Sequence, residues 1–301
     1  MSVSVVEYTS CPVCGSSRIA HVMSCKDYTV SGEQFSIAAC ADCTVRFTQS
    51  VPDAAHIGPY YQSDSYISHS DTDKGLISKL YKLARTYTLA KKRNDVQRAT
   101  QRRTGQLLDV GCGTGAFLHA MQQAGWQVTG LEPDATARAN AQRLYQLQPQ
   151  DPAALYHMPA QQFDAITMWH VLEHIHDLHG YLKAFQHCLK ADGTLMIAVP
   201  NYLSKDAQQY GRHWAAYDVP RHLYHFTPAS IDVLARQHGF VVKKIQPMWL
   251  DAFYIAMLSE QYLHGKGNLP AAFLAGLRSV WHAYRHPGTC SSQVYWLQKQ
   301  A

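Results

Sequence analysis

Four of the eight cysteines form two C-x-x-C pairs near the N-terminus, Cys11 with Cys14 and Cys40 with Cys43. Two thiolates three positions apart on a tight turn converge on one ion, and two such turns supply the four sulfur ligands that Zn²⁺ prefers in closed structural sites. The alternating residues between the pairs are typical of a zinc ribbon. The sequence therefore predicts a structural zinc ion within residues 1–50. The remaining cysteines are predicted to be free thiols: Cys25, Cys112, Cys188 and Cys290.

A second chemical signal is a glycine-rich turn between a short apolar strand and a helix. Gly111, Gly113 and Gly115 lie where backbone N–H groups at a helix N-terminus can approach a ligand closely. Glu132 follows about 20 residues after the first glycine, where an acidic side chain meets the ribose hydroxyls of a nucleotide cofactor. Because the loop also satisfies the G-x-G-x-x-A dinucleotide fingerprint, these two features alone leave NAD open as the cofactor.

Strands and helices alternate regularly from the glycine loop to the C-terminus. Strand patterns at 107–110, 126–131, 163–168, 194–199, 241–245 and 292–297 alternate with amphipathic helical patterns. Such alternation requires a parallel sheet covered on both faces. We predict an α/β chain with a doubly wound, mostly parallel, seven-stranded sheet at 105–301, which carries a helical insert at about 250–288 before the last strand. A Tyr-rich connector and helix occupy 51–104, and the Lys-Lys-Arg run at 91–93 is predicted to be a solvated helix face.

Further motifs follow the glycine loop in a specific order. Asp109 joins the three glycines in a D-x-G-x-G-x-G pattern, and characteristic segments follow at 130–134, 163–175, 189–201 and 221–227. Over residues 105–245 the chain resembles the class I S-adenosylmethionine-dependent methyltransferases, which have a Rossmann-like fold. Within them it is most similar to the small-molecule branch of ubiquinone-type O-methyltransferases and sugar C-methyltransferases. Some sugar C-methyltransferases also carry a cysteine zinc module ahead of the transferase domain.

The resemblance implies roles for the residues of the cofactor site. Asp109 and the backbone of 111–115 would hold the methionine part of S-adenosylmethionine, and Glu132 would accept both ribose hydroxyls, since each hydroxyl is a donor. The residue that contacts adenine in the family follows strand three, and the irregular segment 144–162 does not reveal it. The other positions assigned to the cofactor site are Cys112, Pro133, Trp169 and His170.

Methyl transfer from a sulfonium is an in-line displacement, so the protein must align the acceptor and, for a hydroxyl or acidic carbon, remove a proton. Histidine is the side chain best matched to that task. The loop at 210–226 follows strand five at the carboxyl edge of the sheet, where acceptors bind. It supplies the two leading candidate bases, His222 and His225, with Tyr217 as a secondary candidate.

The H-x-x-E-H stretch after strand four supplies two more catalytic candidates, His170 and His174. With Glu173 they could hold a second divalent metal, as is suspected for the E-x-x-E-H stretch of ubiquinone-type relatives. The alternative is that His170 packs beside the cofactor while Glu173 and His174 fix the loop by hydrogen bonds. We favour the alternative, because the sequence identifies no outer partners for such ligands.

The net charge of +5 is not gathered into basic blocks, and the ribbon between Cys11 and Cys43 contains only Arg18 and Lys26 as cations. A ribbon that docked on RNA should carry clustered Arg and Lys. We therefore expect a small-molecule acceptor, such as a sugar nucleotide, a lipid precursor or a natural-product intermediate, and no nucleic acid. An RNA methyltransferase and a non-catalytic cofactor-binding protein stay open as alternatives.

No stretch of the sequence is apolar for long enough to span a bilayer, and the N-terminus lacks the pattern of a signal peptide. We therefore expect a cytoplasmic protein. The insert carries apolar residues at helical spacing, which predicts a helical lid or a dimer surface, with core packing as the favoured use, so a homodimer is an open expectation. These residues are Phe273, Leu274, Leu277, Val280 and Trp281.

Overall fold

Short antiparallel strands surround the two cysteine pairs. The computed structural model describes residues 4–62 and 76–300, and only the backbone of 76–84. The middle of the Tyr-rich connector, residues 63–75, therefore lies outside the described residues. In this N-terminal module β1 pairs with β5, while β2, β3 and β4 form one antiparallel sheet. The strands are β1 (Val5–Val6), β2 (Ile19–Lys26), β3 (Gln34–Cys40), β4 (Arg46–Thr48) and β5 (Val51–Pro52).

The rest of the described chain alternates helices with strands, as the hydrophobic pattern predicts. In chain order the elements are α1 (Leu76–Thr100), β6 (Gln106–Val110), α2 (Ala116–Gln123), β7 (Gln127–Leu131), α3 (Ala135–Tyr145), β8 (Phe163–Trp169), α4 (Leu178–Cys188), β9 (Leu189–Pro200), α5 (Lys205–Tyr210), β10 (Tyr224–His225), α6 (Pro228–Gln237), β11 (Phe240–Pro247), α7 (Asp251–His264), α8 (Leu269–Arg285) and β12 (Ser292–Lys299). Short 3₁₀ turns lie at Gly58–Tyr61, Pro152–His157, Leu172–His174, Gly211–His213 and Ala215–Tyr217.

The central sheet has the strand order β11-β12-β9-β8-β6-β7. β7, β6, β8 and β9 are mutually parallel, and β12 runs antiparallel to both β9 and β11. Its central strands are almost completely buried, which is the burial expected of a parallel sheet covered on both faces. The prediction of a doubly wound, mostly parallel α/β fold is confirmed.

Among the described residues the sheet has six strands, where the sequence predicts seven. In the place of strand three, Gln150 alone forms a parallel bridge with Leu131. The Gln150 N–H donates to the carbonyl of Gly130, and its own carbonyl accepts from the N–H of Glu132. Pro149 and Pro152 flank this residue, and proline has no N–H to continue a ladder. The next residue whose N–H would face β7 is Pro152, so the pairing ends after one residue.

The N-terminal module and the sheet domain share one sheet and one hydrophobic core. β10, from the loop after β9, adds to the edge of β4, so that Tyr224 faces Phe47 and His225 faces Arg46. Phe47 and Phe226 are both fully buried in the same cluster as the cysteines. The predicted division of the chain into residues 1–50, 51–104 and 105–301 does not include this shared sheet. Pairing between distant segments leaves no local pattern in the sequence.

A buried guanidinium also joins the two parts. Arg221 is 1% exposed and donates to Asp218 at 2.6 Å and to Asp27, in the N-terminal module, at 3.0 Å. It also donates to the backbone carbonyl of Tyr60 at 2.8 Å. The two carboxylates raise the pKa of Arg221 above its usual value although burial alone would lower it. One side chain thus connects the N-terminal module, the connector and the loop at 210–226.

The insert consists of α7 and α8, which pack on each other and on α5. Asp206 of α5 is fully buried and accepts from Trp214 Nε1 at 2.7 Å and from Ser279 Oγ of α8 at 2.5 Å. Ser291, just before β12, donates to the same carboxylate. These bonds anchor the C-terminal part of the insert to α5. Within the described part of the chain, no helix combines the length and apolarity that crossing a membrane would require.

We predict that Arg221→Met lowers the free energy of unfolding by about 3–5 kcal/mol, because it leaves the buried Asp27 and the partly buried Asp218 without their cation. Urea denaturation measures the change. The matched control is Arg236→Met, which removes an ion pair with Asp232 on the surface of α6 and should leave stability unchanged within error. A loss for Arg221→Met no larger than that of the control would show that the buried pair does not hold the two parts together.

Candidate cofactor and acceptor site

The glycine loop connects the end of β6 to the start of α2. Gly111 has a φ of +71°, and a Cβ there would lie 2.4 Å from Val171 Cγ2, so a side chain is excluded on both counts. Gly113 has a φ of +54° and has open space within 4 Å of the position of a Cβ. A ligand can therefore approach the backbone of Gly113 closely, as the sequence predicts for this turn.

Glu132 lies beside the same loop at the end of β7. Its side chain accepts from the N–H of Gly113 at 2.8 Å and from the N–H of Asp134 at 3.0 Å. Burial raises the pKa of this carboxyl, and the two N–H groups oppose the effect. Each carboxylate oxygen has lone pairs left for a further donor, such as a ribose hydroxyl.

Asp109 and Lys92 place opposite charges on the other side of the loop. Asp109 is buried on β6, where Thr167 Oγ1 donates to it at 2.6 Å, and burial raises its pKa to about 7. The Lys92 ammonium, on α1, lies 4.4 Å from the centre of the Trp169 ring, and burial lowers its pKa. The run at 91–93 is thus not a uniformly solvated face, because Lys92 is directed inward while Lys91 pairs with Asp95.

The remaining predicted cofactor residues surround the loop at different depths. Cys112 is buried within it, and burial raises the pKa of its thiol. The Trp169 ring packs edge-on against Phe117 of α2, with 5.5 Å between the ring centres. Pro133 is exposed, and its carbonyl accepts from Arg138 at 2.8 Å. Asp151, which the sequence analysis does not single out, follows the bridging Gln150 at the same edge of the sheet, and its side chain is 66% exposed.

His170 follows β8 in a left-handed backbone conformation, with a φ of +60°. Its Nε2 lies 3.0 Å from Asp251 Oδ2 on α7, and its Nδ1 lies 3.5 Å from Glu173 Oε1. Burial alone would lower the pKa of His170, but these two carboxylates raise it to about 9. His170 is therefore a cation at neutral pH and is unsuited to accept a proton from an acceptor.

Glu173, His174 and His222 form one group, whose ligand atoms lie within 4.8 Å of one another. The predicted metal set differs, because His170 does not belong to this group and His222, from the distant loop, takes its place. Both histidine rings are oriented by the backbone: Nδ1–H of His174 donates to the carbonyl of Arg221 at 3.0 Å, and Nδ1–H of His222 to that of Ala216 at 2.9 Å. Each Nε2 keeps its lone pair.

The two other candidate catalytic residues of this loop lie at its interface with the N-terminal module. His225 is 3% exposed, its Nε2 lies 3.2 Å from Thr48 Oγ1, and burial lowers its pKa well below the usual value. Tyr217 accepts from Arg46 of β4 at 2.7 Å, and burial raises its pKa to about 12. Sequence proximity to His222 therefore does not bring His225 and Tyr217 into the group of Glu173 and His174.

The four N-terminal cysteines converge as their spacing predicts. Cys11 Sγ lies 3.5 Å from Cys43 Sγ, and Cys14 Sγ lies 3.6 Å from Cys40 Sγ, with all four sulfurs within 4.8 Å of one another. The contact with Cys43 lowers the pKa of Cys11 to about 5. Four sulfurs at these separations suit one tetrahedral ion, so the group is compatible with zinc. The other four cysteines are buried and unpaired with one another.

The fold and the glycine-loop site define an S-adenosylmethionine-dependent methyltransferase of class I. The chain belongs to the family described as "Methyltransferase domain", whose model matches residues 81–245, more than half of the chain. The prediction of a methyltransferase, and of an enzyme, is confirmed.

Among curated proteins the chain is similar to ubiquinone biosynthesis O-methyltransferases. It is 28% identical over 174 residues to that of Aeromonas salmonicida, covering 54% of this chain and 71% of the relative. To that of Haemophilus ducreyi it is 35% identical over 107 residues, covering 32% and 45%. Several of the relatives from Pseudomonas are matched over 66% of their length. The similarity thus concerns the transferase domain more than the whole chain.

Solved structures share the fold at low sequence identity. The geranyl diphosphate C-methyltransferase of Streptomyces coelicolor A3(2) superposes with a TM-score of 0.51 and 14% identity, covering 76% of this chain and 88% of that one. A SAM-dependent methyltransferase of Archaeoglobus fulgidus gives 0.50 and 18%, covering 71% and 94%. At these identities the structures support the fold alone.

We predict that the purified protein contains one Zn²⁺ per chain, and that Cys11→Ser abolishes it and lowers the free energy of unfolding by more than about 3 kcal/mol. Metal analysis and urea denaturation measure the two effects. Cys25→Ala is the control, since Cys25 is a buried thiol of the same module outside the group of four. It should retain the zinc. Absence of zinc from the unmodified protein would overturn the assignment.

We predict that Glu132→Ala weakens the binding of S-adenosylmethionine by about 1–3 kcal/mol, because a charge-assisted acceptor is lost. Isothermal titration calorimetry gives the dissociation constant. Asp134→Asn serves as the control: it changes the next acidic residue of the same turn while keeping an oxygen that can cap α3. Equal affinities for Glu132→Ala and the unmodified protein would remove Glu132 from the cofactor site.

Proposed function

We propose that the chain transfers a methyl group from S-adenosylmethionine to an oxygen or carbon atom of a small-molecule acceptor. The observation that carries the proposal is the polar group of Glu173, His174 and His222. This group lies next to the glycine loop, because Val171, two residues before Glu173, packs against Gly111 of that loop. The relatives named for ubiquinone biosynthesis and geranyl diphosphate act on small molecules, which supports an acceptor of that size.

The geometry supports a particular set of cofactor contacts. Glu132 would accept the ribose hydroxyls, and the backbone of Gly113 would lie against the ligand. Lys92 would pair with the carboxylate of the methionine part, since its ammonium is buried near the loop and its charge lowers the pKa of Asp109. Asp151, at the edge of the sheet after the bridge to Leu131, would accept from the adenine amino group. Bound there, the cofactor supplies the electrophilic methyl group.

The histidines would have divided tasks in this reaction. His170 is held protonated by ion pairs with Asp251 and Glu173, so it carries positive charge, and its Nε2–H donates to Asp251. Burial and the neighbouring His222 lower the pKa of His174 to about 4, so His174 is neutral at pH 7. With both Nδ1 atoms bound to backbone carbonyls, the Nε2 atoms of His174 and His222 are the available acceptors for a proton or ligands for an ion.

The same group fits a divalent cation. Glu173 is completely buried, and neither of its carboxylate oxygens has a hydrogen-bond partner among the described residues. A buried carboxylate needs positive charge beyond that of His170, and a bound cation would supply it. The two Nε2 lone pairs complete a set of three ligands, and backbone carbonyls already orient both imidazole rings. A bound divalent cation would polarise an acceptor hydroxyl or neutralise an acidic acceptor. The proposed ligands are therefore Glu173, His174 and His222.

The alternative of an RNA acceptor receives no support from the described part of the N-terminal module. Arg18 donates to Asp42 through its guanidinium, and the Lys26 ammonium lies over the ring of Tyr28. Neither cation of the ribbon is thus free of a partner within the chain. The expectation of a small-molecule acceptor accordingly stands as the better supported proposal.

We predict that Glu173→Gln binds Mn²⁺ about 100-fold more weakly than the unmodified protein, because the only anionic ligand of the group is lost. Electron paramagnetic resonance of free Mn²⁺ measures this binding without requiring activity. Transfer of radiolabelled methyl groups to sugar nucleotides, isoprenoid phosphates and phenolic lipid precursors should fall in parallel. The affinity for S-adenosylmethionine should change by less than about twofold.

The control is Glu33→Gln, which alters an exposed carboxylate of the N-terminal module and should leave Mn²⁺ binding and transfer intact. Unaltered Mn²⁺ binding by Glu173→Gln would refute the cation site while leaving methyl transfer to be judged separately. If the unmodified protein binds S-adenosylmethionine but methylates none of the three acceptor classes, the proposal of small-molecule transfer fails in favour of a non-catalytic cofactor-binding protein.

A further inference from the structure

The outer face of the insert carries six exposed apolar side chains along one helix. Its residues lie on α8, and we call them the α8 stripe. With an advance of about 100° per residue they fall within an arc of about 140°, along roughly 22 Å of helix. Exposed apolar surface of this extent on a soluble chain marks an interaction site. The α8 stripe consists of Leu269, Phe273, Leu274, Leu277, Trp281 and Tyr284, each more than 40% exposed.

The stripe is not the face that α8 uses for folding. The opposite arc of the helix is formed by small residues, including Ala272, Ala275 and Ser279, which are buried against α7 and α5. Ser279 donates to the buried Asp206. The Phe273 ring lies 5.5 Å from that of Phe253, and Tyr254, which is 56% exposed, extends the apolar surface onto α7. The core is complete without the stripe, so its aromatic groups are available to a partner.

Charges around the stripe have one sign. Arg278 and Arg285 follow it directly around the helix and are exposed, and Lys266 lies in the turn between α7 and α8. The segment 241–300 contains two acidic residues, Asp251 and Glu260. Asp251 is engaged by His170, and Glu260 is buried and accepts from Tyr210. The outward-facing charge of the insert is therefore basic.

We propose that the α8 stripe docks on an anionic lipid bilayer, with α8 lying in the plane of the interface. A helix with Trp, Phe and Leu on one face and basic residues beside them is the pattern of interfacial helices, in which arginine reaches back to the headgroups. Trp281 and Tyr284 have the amphipathic rings that favour the headgroup level. Arg278 and Arg285 supply attraction to anionic lipid.

A second copy of the chain is a poorer occupant. A two-fold dimer brings the same patch of both subunits together, so the cations Arg278 and Arg285 of one copy would lie close to those of the other. The described residues of the insert offer no exposed carboxylate to pair with them. Negative lipid headgroups meet the same cations without that repulsion. The inference concerns where the protein resides and does not depend on the proposed methyl acceptor.

Vesicle sedimentation of the full chain tests the proposal. The vesicles contain either phosphatidylcholine alone or equal amounts of phosphatidylcholine and phosphatidylglycerol. The unmodified protein should bind the mixed vesicles and release from them as salt is added. Phe273→Ser combined with Trp281→Ser, and separately Arg278→Glu combined with Arg285→Glu, should each weaken that binding by about tenfold or more.

Leu144→Ser is the matched control, since Leu144 is an exposed apolar residue of α3 and 46% exposed. It should bind vesicles as the unmodified protein does. Unchanged S-adenosylmethionine affinity and thermal unfolding show that the variants of α8 are folded. Failure to bind mixed vesicles, equal binding to both vesicle types, or a dimer in light scattering that Trp281→Ser dissociates would each overturn the proposal.

Discussion

The arrangement of the site depends on one buried guanidinium. Arg221 requires two carboxylates to be tolerated in the core, and it takes Asp27 from the N-terminal module and Asp218 from the loop after β9. Its carbonyl orients the ring of His174, and the next residue is His222. The N-terminal module therefore fixes the loop that carries His222 through the contact of Asp27 with Arg221.

Features with a local cause were predictable from the sequence. The convergence of the cysteines follows from two short spacings, and the glycine loop follows from backbone conformations that only glycine adopts easily. The strands of the central sheet followed from continuous apolar runs. Strand three is the exception, since Pro152 cannot continue the pairing beyond the single bridge of Gln150. There the number of strands was overestimated because the topology was expected to be complete.

The composition of the site was less predictable, because it depends on pairing between distant segments. His222 and His225 lie three positions apart in one polar loop, yet β10 carries His225 into the sheet of the N-terminal module. His170 pairs with Asp251 from the insert, whose apolar spacing predicts core packing, a lid or a dimer surface but no contact with this histidine. The basic run at 91–93 predicts a solvated helix face, because the sequence alone does not show that Lys92 is directed inward. In each case a tertiary contact, which leaves no local pattern in the sequence, decides the surroundings of the side chain.

The first turn of α7 connects the polar site with the outer apolar surface. Asp251 begins the helix and holds His170, and Tyr254 lies one turn later with more than half of its surface exposed. One turn of helix rises about 5 Å. If α8 and the start of α7 lie on a bilayer, the site is close to the interface, and an amphipathic acceptor can present its polar end to the methyl group while its apolar part stays in lipid. Under both proposals, interfacial docking favours a lipid precursor over a sugar nucleotide as the acceptor.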